Sequence, residues 1–293
     1  MAFNFQVFKT RALTAVVFVA VMLVGLLYDR WSFFALFSVI HFGCWIEYQK
    51  LIALIYPEYK KTTPFHRNSI MLLGWCFMML CTDFSHPDLY FIGRVSLHGI
   101  GWYGIMLLTI IFCLNEIVLK KHLDLKVVGY SLLGLLYISL SLGLMMRLFD
   151  TSIDIFDGLV EGSLLPLILI AAIWINDTMA YIVGSFIGRT PLSSISPKKT
   201  WEGTIGGAVL AIVVVTLGCR YLFNISNIKL LIIISATAAI VGTLGDLLES
   251  KLKRMACVKD SGQIMPGHGG FLDRFDSLLV ATPFVWLLIE ILN

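Results

Sequence analysis

Charged residues make up only 14% of this 293-residue chain, and they gather where they could do chemistry. The densest stretch is Ser250–Ser277, SKLKRMACVKDSGQIMPGHGGFLDRFDS, which follows Gly245-Asp246. Asp246, Glu249, Ser250 and Lys253 fall at i, i+3, i+4 and i+7, one face of a helix. Asp273 and Asp276 stand at i, i+3 before the last apolar run, beside Arg274 and Ser277. A solvated helix end with ordinary ion pairs would explain the first cluster alone. Two acidic clusters on two helix ends at one membrane depth can instead converge. Carboxylate oxygens in that setting suit a hard cation, Mg²⁺ first, because it prefers oxygen ligands and leaves room for water and phosphate. Zinc lacks its inventory, since there is no CxxC and no placed His pair.

Between the clusters runs Pro266-Gly267-His268-Gly269-Gly270, a loop that cannot be a regular helix interior. Neither GxxxxGK[ST] nor GxGxxG occurs, so the two common nucleotide loops are excluded. With Lys253, Arg254, Lys259 and Arg274 around it, the glycine-rich turn reads as a cradle for a polyphosphate. A second element is Ser196-Pro197-Lys198-Lys199-Thr200-Trp201-Glu202-Gly203. Ser196 is expected to N-cap a helix with Pro197 at its first position, whose positive end and two lysines would attract phosphate. The third element is Asn176-Asp177, which interrupts an apolar run. Asp177, Tyr181, Gly184, Ser185 and Gly188 share a face there, and an acid within a span is a functional candidate by default. Gly184 and Gly188 are read as close helix packing rather than as a binding motif.

The elements that must position these residues are apolar. The chain is 58% hydrophobic with a mean hydropathy of +0.86, too oily for a soluble domain. Charge-free runs recur at Ala12–Tyr28, Trp31–Ile46, Asn68–Thr82, Val95–Asn115, Val127–Met146, Gly162–Asn176, Gly203–Cys219, Leu230–Gly245 and Ser277–Ile289. The sixth is expected to continue past Asp177 toward Gly188. A span needs about 17–25 residues, so the shorter runs must borrow their flanks or tilt. The expected fold is therefore all-α, a polytopic integral membrane protein of about nine transmembrane helices. No small-residue cleavage site follows the first run, which is read as an uncleaved span. With the N-terminus in the cytoplasm, inside segments hold 17 of the 22 Lys/Arg, which sets the orientation. The site segments 189–202 and 246–276 then face the cytoplasm. Residues 1–125 read as N-terminal spans without a motif and 126–293 as the catalytic region, within one integral domain. The six cysteines and the isolated His41, His66, His86, His98 and His122 are read as packing or interfacial residues. Net charge is only +3, and no nucleic-acid partner is expected.

The run S-x-L-K-R-x4-K-D-S-G-x-x-x-P-G-H-G-G-x-x-D-R-x-D-S, from Ser250 to Ser277, resembles the signature of CDP-diacylglycerol synthases (phosphatidate cytidylyltransferases). Gly245-Asp246-Leu247, Glu249-Ser250, Asn176-Asp177 with Ala180-Tyr181, and Ser196–Gly203 match the same family. The resemblance covers about residues 170–280. It implies transfer of a cytidylyl group from CTP to phosphatidic acid with release of pyrophosphate, at the inner leaflet of a bacterial cytoplasmic membrane. It further implies a metal centre on Asp246 and Asp273, holding Mg²⁺ and admitting a monovalent cation such as K⁺. Lys198, Lys199, Lys253, Arg254, Lys259 and Arg274 would share the triphosphate and the lipid headgroup. His268 would bind phosphate or shape the loop, and Asp177 would support the metal or a basic side chain. Gly267, Gly269, Gly270, Thr200 and Glu202 belong to the substrate-binding motifs, and Asp260 and Asp276 to the catalytic one. Acyl chains would reach the site through a gap between spans. Rival expectations are a CTP-dependent polyprenol or lipid kinase, an ether-lipid cytidylyltransferase and, more remotely, an ion-coupled transporter. The oligomeric state is open, a homodimer being one candidate.

Overall fold

Lipid offers no hydrogen-bond partner to a backbone, so each apolar run closes as a helix. The computed structural model describes residues 5–82, 90–92, 95–119, 124–151, 153–154, 159–160, 163–263 and 269–292. Gly267 and His268 lie outside these residues, as do His86 and His122. The helices are α1 (Phe5–Leu27), α2 (Arg30–Ile55), the short α3 (Pro57–Lys60), α4 (Pro64–Leu80) and α5 (Leu97–Cys113). They continue with α6 (Leu125–Gly134), α7 (Ser141–Asp150), α8 (Leu164–Ile187), α9 (Trp201–Phe223), α10 (Ile228–Met255) and α11 (Leu272–Leu292). π-helical turns extend α5 at Leu114–Leu119 and join α6 to α7 at Leu135–Leu140. The described strands form two short antiparallel hairpins, β1 (Tyr90–Ile92) with β2 (Val95–Ser96) and β3 (Ile153–Asp154) with β4 (Leu159–Val160).

Local chemistry sets several helix starts. Asp29 and Ser32 form a capping box on α2, Thr63 caps α4 ahead of Pro64, and Asn227 caps α10. Asn176-Asp177 does not break α8, which runs on to Ile187 as expected.

Among the described residues, six helical segments are long and apolar enough to cross a bilayer. They are Leu97–Glu116, Leu125–Asp150 and the whole of α8, α9, α10 and α11. The chain is an integral membrane protein. The remaining predicted runs are also helical, as α1, α2 and α4. α2 continues through Glu47 and Lys50, nine residues beyond its charge-free run. It has protein around it: Phe33, Phe37, Trp45 and Leu51 are buried. Phe33 stacks on Phe149 of α7 at 4.2 Å. The π turn at Leu135–Leu140 presents Ser139 to α2, where its hydroxyl meets Trp45 Nε1 at 2.9 Å and His41 Nε2 at 3.0 Å. His66 is buried against Ser131 and the carboxylate of Glu116. Both histidines are thus hydrogen-bonded packing residues.

Candidate active site

The site begins where α10 meets α11. A Cβ on Gly245 would lie 2.6 Å from the Asp276 carbonyl oxygen, so the absence of a side chain lets the two backbones touch. The next residue on α10 is Asp246. Its carboxylate, that of Glu249 one turn on, and that of Asp276 each offer an oxygen within 4.8 Å of the others. Glu249 is fully buried, Asp276 nearly so, and the Oε1 atom of Glu249 has no hydrogen-bond partner among the described residues. Lys199 pairs with Asp246 across the site, and Lys253 pairs with Glu249.

Asp273 belongs to a neighbouring network. Its Oδ1 accepts from Lys253 at 2.6 Å. Its Oδ2 accepts from the Ser261 N–H at 2.9 Å and from the Gly270 N–H at 2.8 Å, with the Ser261 hydroxyl oxygen 2.9 Å away. Gly269, before it, has φ of +81°, a conformation that favours glycine. The structure therefore groups Asp246 with Glu249 and Asp276, while the oxygens of Asp273 hold Lys253 and the start of α11. Lys253, expected to meet phosphate, sits between two carboxylates.

The loop from Gly188 to Thr200 corrects one expectation. Ser196 does not cap a helix. Its carbonyl accepts from Lys199 N–H at 3.1 Å, closing a turn over Pro197 and Lys198. The helix starts at Trp201 with Thr200 as its N-cap, accepting from Gly203 N–H at 3.2 Å. Glu202 turns back to accept from Arg189 N–H and Thr190 N–H, both at 3.1 Å, and Leu192 N–H reaches the Lys199 carbonyl at 2.8 Å. The loop is thus folded against its own helix, which delivers Lys198 and Lys199 to the site. Behind it α8 and α9 pack closely. A Cβ on Gly184 or on Gly188 would meet Thr200, which agrees with reading these two glycines as packing residues, and one on Gly207 would meet Ala180 at 2.7 Å.

Two cavities share the acidic wall. One, of about 450 Å³, gathers all three sequence elements: Asn176 and Asp177 from α8, Ser196, Lys198, Lys199 and Thr200 from the loop, and Asp246, Asp273 and Asp276. Tyr181, Gly184, Ser185, Thr204, Thr243 and Ser277 complete it. The other, of about 360 Å³, keeps Asp177, Asp273, Asp276 and Ser277 and adds Arg274. Its opposite wall is Thr14, Ala15, Phe18 and Val19 of α1, with Ile173 and Trp174 of α8. Arg254, Lys259 and Asp260 line neither cavity. The Arg254 guanidinium instead reaches the Val258 carbonyl at 3.4 Å. Gly270 contributes its backbone N–H to Asp273 rather than to a cavity wall.

Sequence reasoning did not reach Glu47 of α2. It accepts from Phe271 N–H at 3.0 Å, Leu272 N–H at 2.8 Å and the Ser261 hydroxyl at 2.8 Å. The available signal was an acid directly after an apolar run, a position easily read as the start of a loop.

The sequence matches the Cytidylyltransferase family over residues 9–292. It is 32% identical over 294 residues to a phosphatidate cytidylyltransferase of Haemophilus influenzae, spanning 94% of this chain and 96% of that protein. A phosphatidate cytidylyltransferase of Bacillus subtilis is 34% identical over 76% of this chain and 78% of its own length. One from Synechocystis is 47% identical over 45% of this chain, a match that spans about half of that relative (46%).

Proposed function

The chain belongs to the cytidylyltransferase family, and on that premise we propose that it is a phosphatidate cytidylyltransferase. It transfers the cytidylyl group of CTP to phosphatidic acid. A phosphate oxygen of the lipid bonds to the α-phosphorus of CTP, the bond from that phosphorus to the bridging oxygen breaks, and pyrophosphate leaves. The observation that carries the reading is the pair of cavities meeting on one acidic wall. One is bordered by Lys198 and Lys199, and the other by Arg274 and the apolar side chains Phe18, Val19, Ile173 and Trp174.

Lys198 and Lys199, with the N-terminus of α9 behind them, attract the triphosphate to the first cavity. Arg274 receives the lipid phosphate in the second, and Phe18, Val19, Ile173 and Trp174 accommodate the start of the acyl chains. No serine or cysteine nucleophile is needed, because the acceptor phosphate is already anionic. The residues' task is to hold two anions in line. Asp246, Glu249 and Asp276 suit Mg²⁺: three carboxylates converge, and one buried oxygen has no partner among the described residues. Once bound, such an ion neutralises charge on the α-phosphate. Asp273 faces the same cavities and is the further candidate ligand, with K⁺ as a candidate second ion. Asp177 stands on the wall common to both cavities.

The proposal includes nine spans, a cytoplasmic N-terminus, and a site open to the cytoplasm at the bacterial inner membrane. It is supported by the bias of Lys/Arg toward one side. One assay tests the reaction, its need for metal and the side on which the site opens. Inside-out and right-side-out vesicles receive labelled CTP, phosphatidic acid and Mg²⁺, with and without EDTA. The expected result is CDP-diacylglycerol and pyrophosphate from inside-out vesicles alone, abolished by EDTA. Release of CDP would point to a lipid kinase, and equal rates from both orientations would overturn the topology.

A further inference from the structure

Glu47 is 2% exposed and lies in α2, far in sequence from every motif of the site. Among the described residues, its three hydrogen-bond donors flank the link between α10 and α11. Ser261 donates from the first stem, and Phe271 and Leu272 donate from the second. The first N–H groups of a helix have no partner within it, and Glu47 supplies one for Leu272 from another helix. Negative charge there is favoured by the helix dipole. The fit leaves no spare volume. A Cβ on Gly262 would lie 2.1 Å from Glu47 Oε1, and one on Gly270 would lie 2.2 Å from both carboxylate oxygens. Both stems thus omit a side chain where the carboxylate sits.

The contact is passed on to the site. Ser261, which gives its one hydroxyl proton to Glu47 at 2.8 Å, meets Asp273 Oδ2 through its N–H at 2.9 Å. The Gly270 N–H holds the same oxygen at 2.8 Å. We propose that Glu47 is a positioning residue for the transfer reaction. From α2 it fixes both stems of the α10–α11 connection and, through Ser261, sets the carboxylate of Asp273 on the wall shared by the two cavities. The proposal rests on reading those cavities as the transferase site.

Glu47→Gln tests it, because the amide keeps the size and replaces one acceptor oxygen with a donor that faces N–H groups. In purified protein of matched folded content, kcat is expected to fall about tenfold or more while KM for CTP stays within about threefold, as for a group that acts on geometry rather than on nucleotide affinity. Hydrogen exchange at Phe271 and Leu272 should accelerate, with α8 and α9 unchanged. Glu47→Gln combined with Ser261→Ala should be no worse than the poorer single variant, since both remove one shared contact. Wild-type kcat, unchanged exchange at the two amides, or fully additive losses would each overturn the proposal. So would a loss of turnover matched by a loss of folded protein. Should the unaltered protein form no CDP-lipid at all, the transferase reading fails, and the exchange measurement still decides whether Glu47 holds the stems.

Discussion

Gly245→Ala should disable the site without touching any polar group. The new methyl would lie 2.6 Å from the Asp276 carbonyl oxygen and 3.0 Å from Ser277 Cα, against 3.4–4 Å for ordinary contact. Both obstacles are backbone, so no side chain can rotate away. α10 and α11 must separate by the better part of an ångström at the level where Asp246 and Asp276 converge. Overpacking of this kind costs about 1–3 kcal/mol of stability. Misplacing a reacting group by about 1 Å costs on the order of 10²-fold in rate. Gly242→Ala is the control, one turn earlier on α10. Its methyl would lie 3.5 Å from Ser277 Cβ, an ordinary contact, and in a helix the change is worth up to about 1 kcal/mol in its favour. CDP-diacylglycerol formation per folded molecule, measured beside thermal stability in the same detergent, should drop about a hundredfold for Gly245→Ala and stay near wild type for Gly242→Ala. Equal turnover in the two variants, whether both active or both impaired, would refute the argument from helix approach.

Asp246→Asn and Asp276→Asn should each reduce turnover by at least about 10²-fold while the protein still inserts, as expected when charge stabilisation at a phosphoryl centre is removed. Mn²⁺ binding followed by electron paramagnetic resonance should weaken in parallel, and undiminished binding would remove these acids from the metal set. Lys198→Ala with Lys199→Ala should raise KM for CTP more than it lowers kcat, with a shallower dependence on ionic strength. Unchanged kinetics would leave the two lysines as determinants of membrane orientation only.

The chemistry of the site was legible where helical spacing alone decides proximity. Asp246 and Glu249 share a face because they are three residues apart, and α8 carries Asp177, Tyr181, Gly184 and Ser185 to one cavity for the same reason. Contacts made across loops were not legible. Ser196 and Thr200 both carry a hydroxyl fit to cap a helix. Thr200 prevails because Glu202 folds back on Arg189 and Thr190, and the segment before Thr200 is consumed in a turn. Lys253 looked free to meet phosphate, yet it lies within reach of both Glu249 and Asp273, 20 residues apart from the latter in sequence. Apolar windows also stop at the first charge, whereas a helix stops only where its backbone bonds end. α2 therefore ran on unseen through Glu47.

That extension places a carboxylate, Glu47, within α2. A helix facing lipid has little tolerance for a carboxylate, because an ionised group in hydrocarbon is costly. A helix enclosed by protein can place one, provided it is met by donors, and Glu47 is met by three. The same enclosure ties the N-terminal spans to the rest. Trp45 bonds Ser139, Phe18 packs on Trp174 and Phe275, and α1 forms one wall of the second cavity. An enzyme that must bring two anions together needs its own charged groups held still where α10 and α11 meet. The early helices supply that frame. They carry almost no recognisable motif because the partners they offer are scattered buried polar groups, Glu47 among them, and the shapes of apolar side chains.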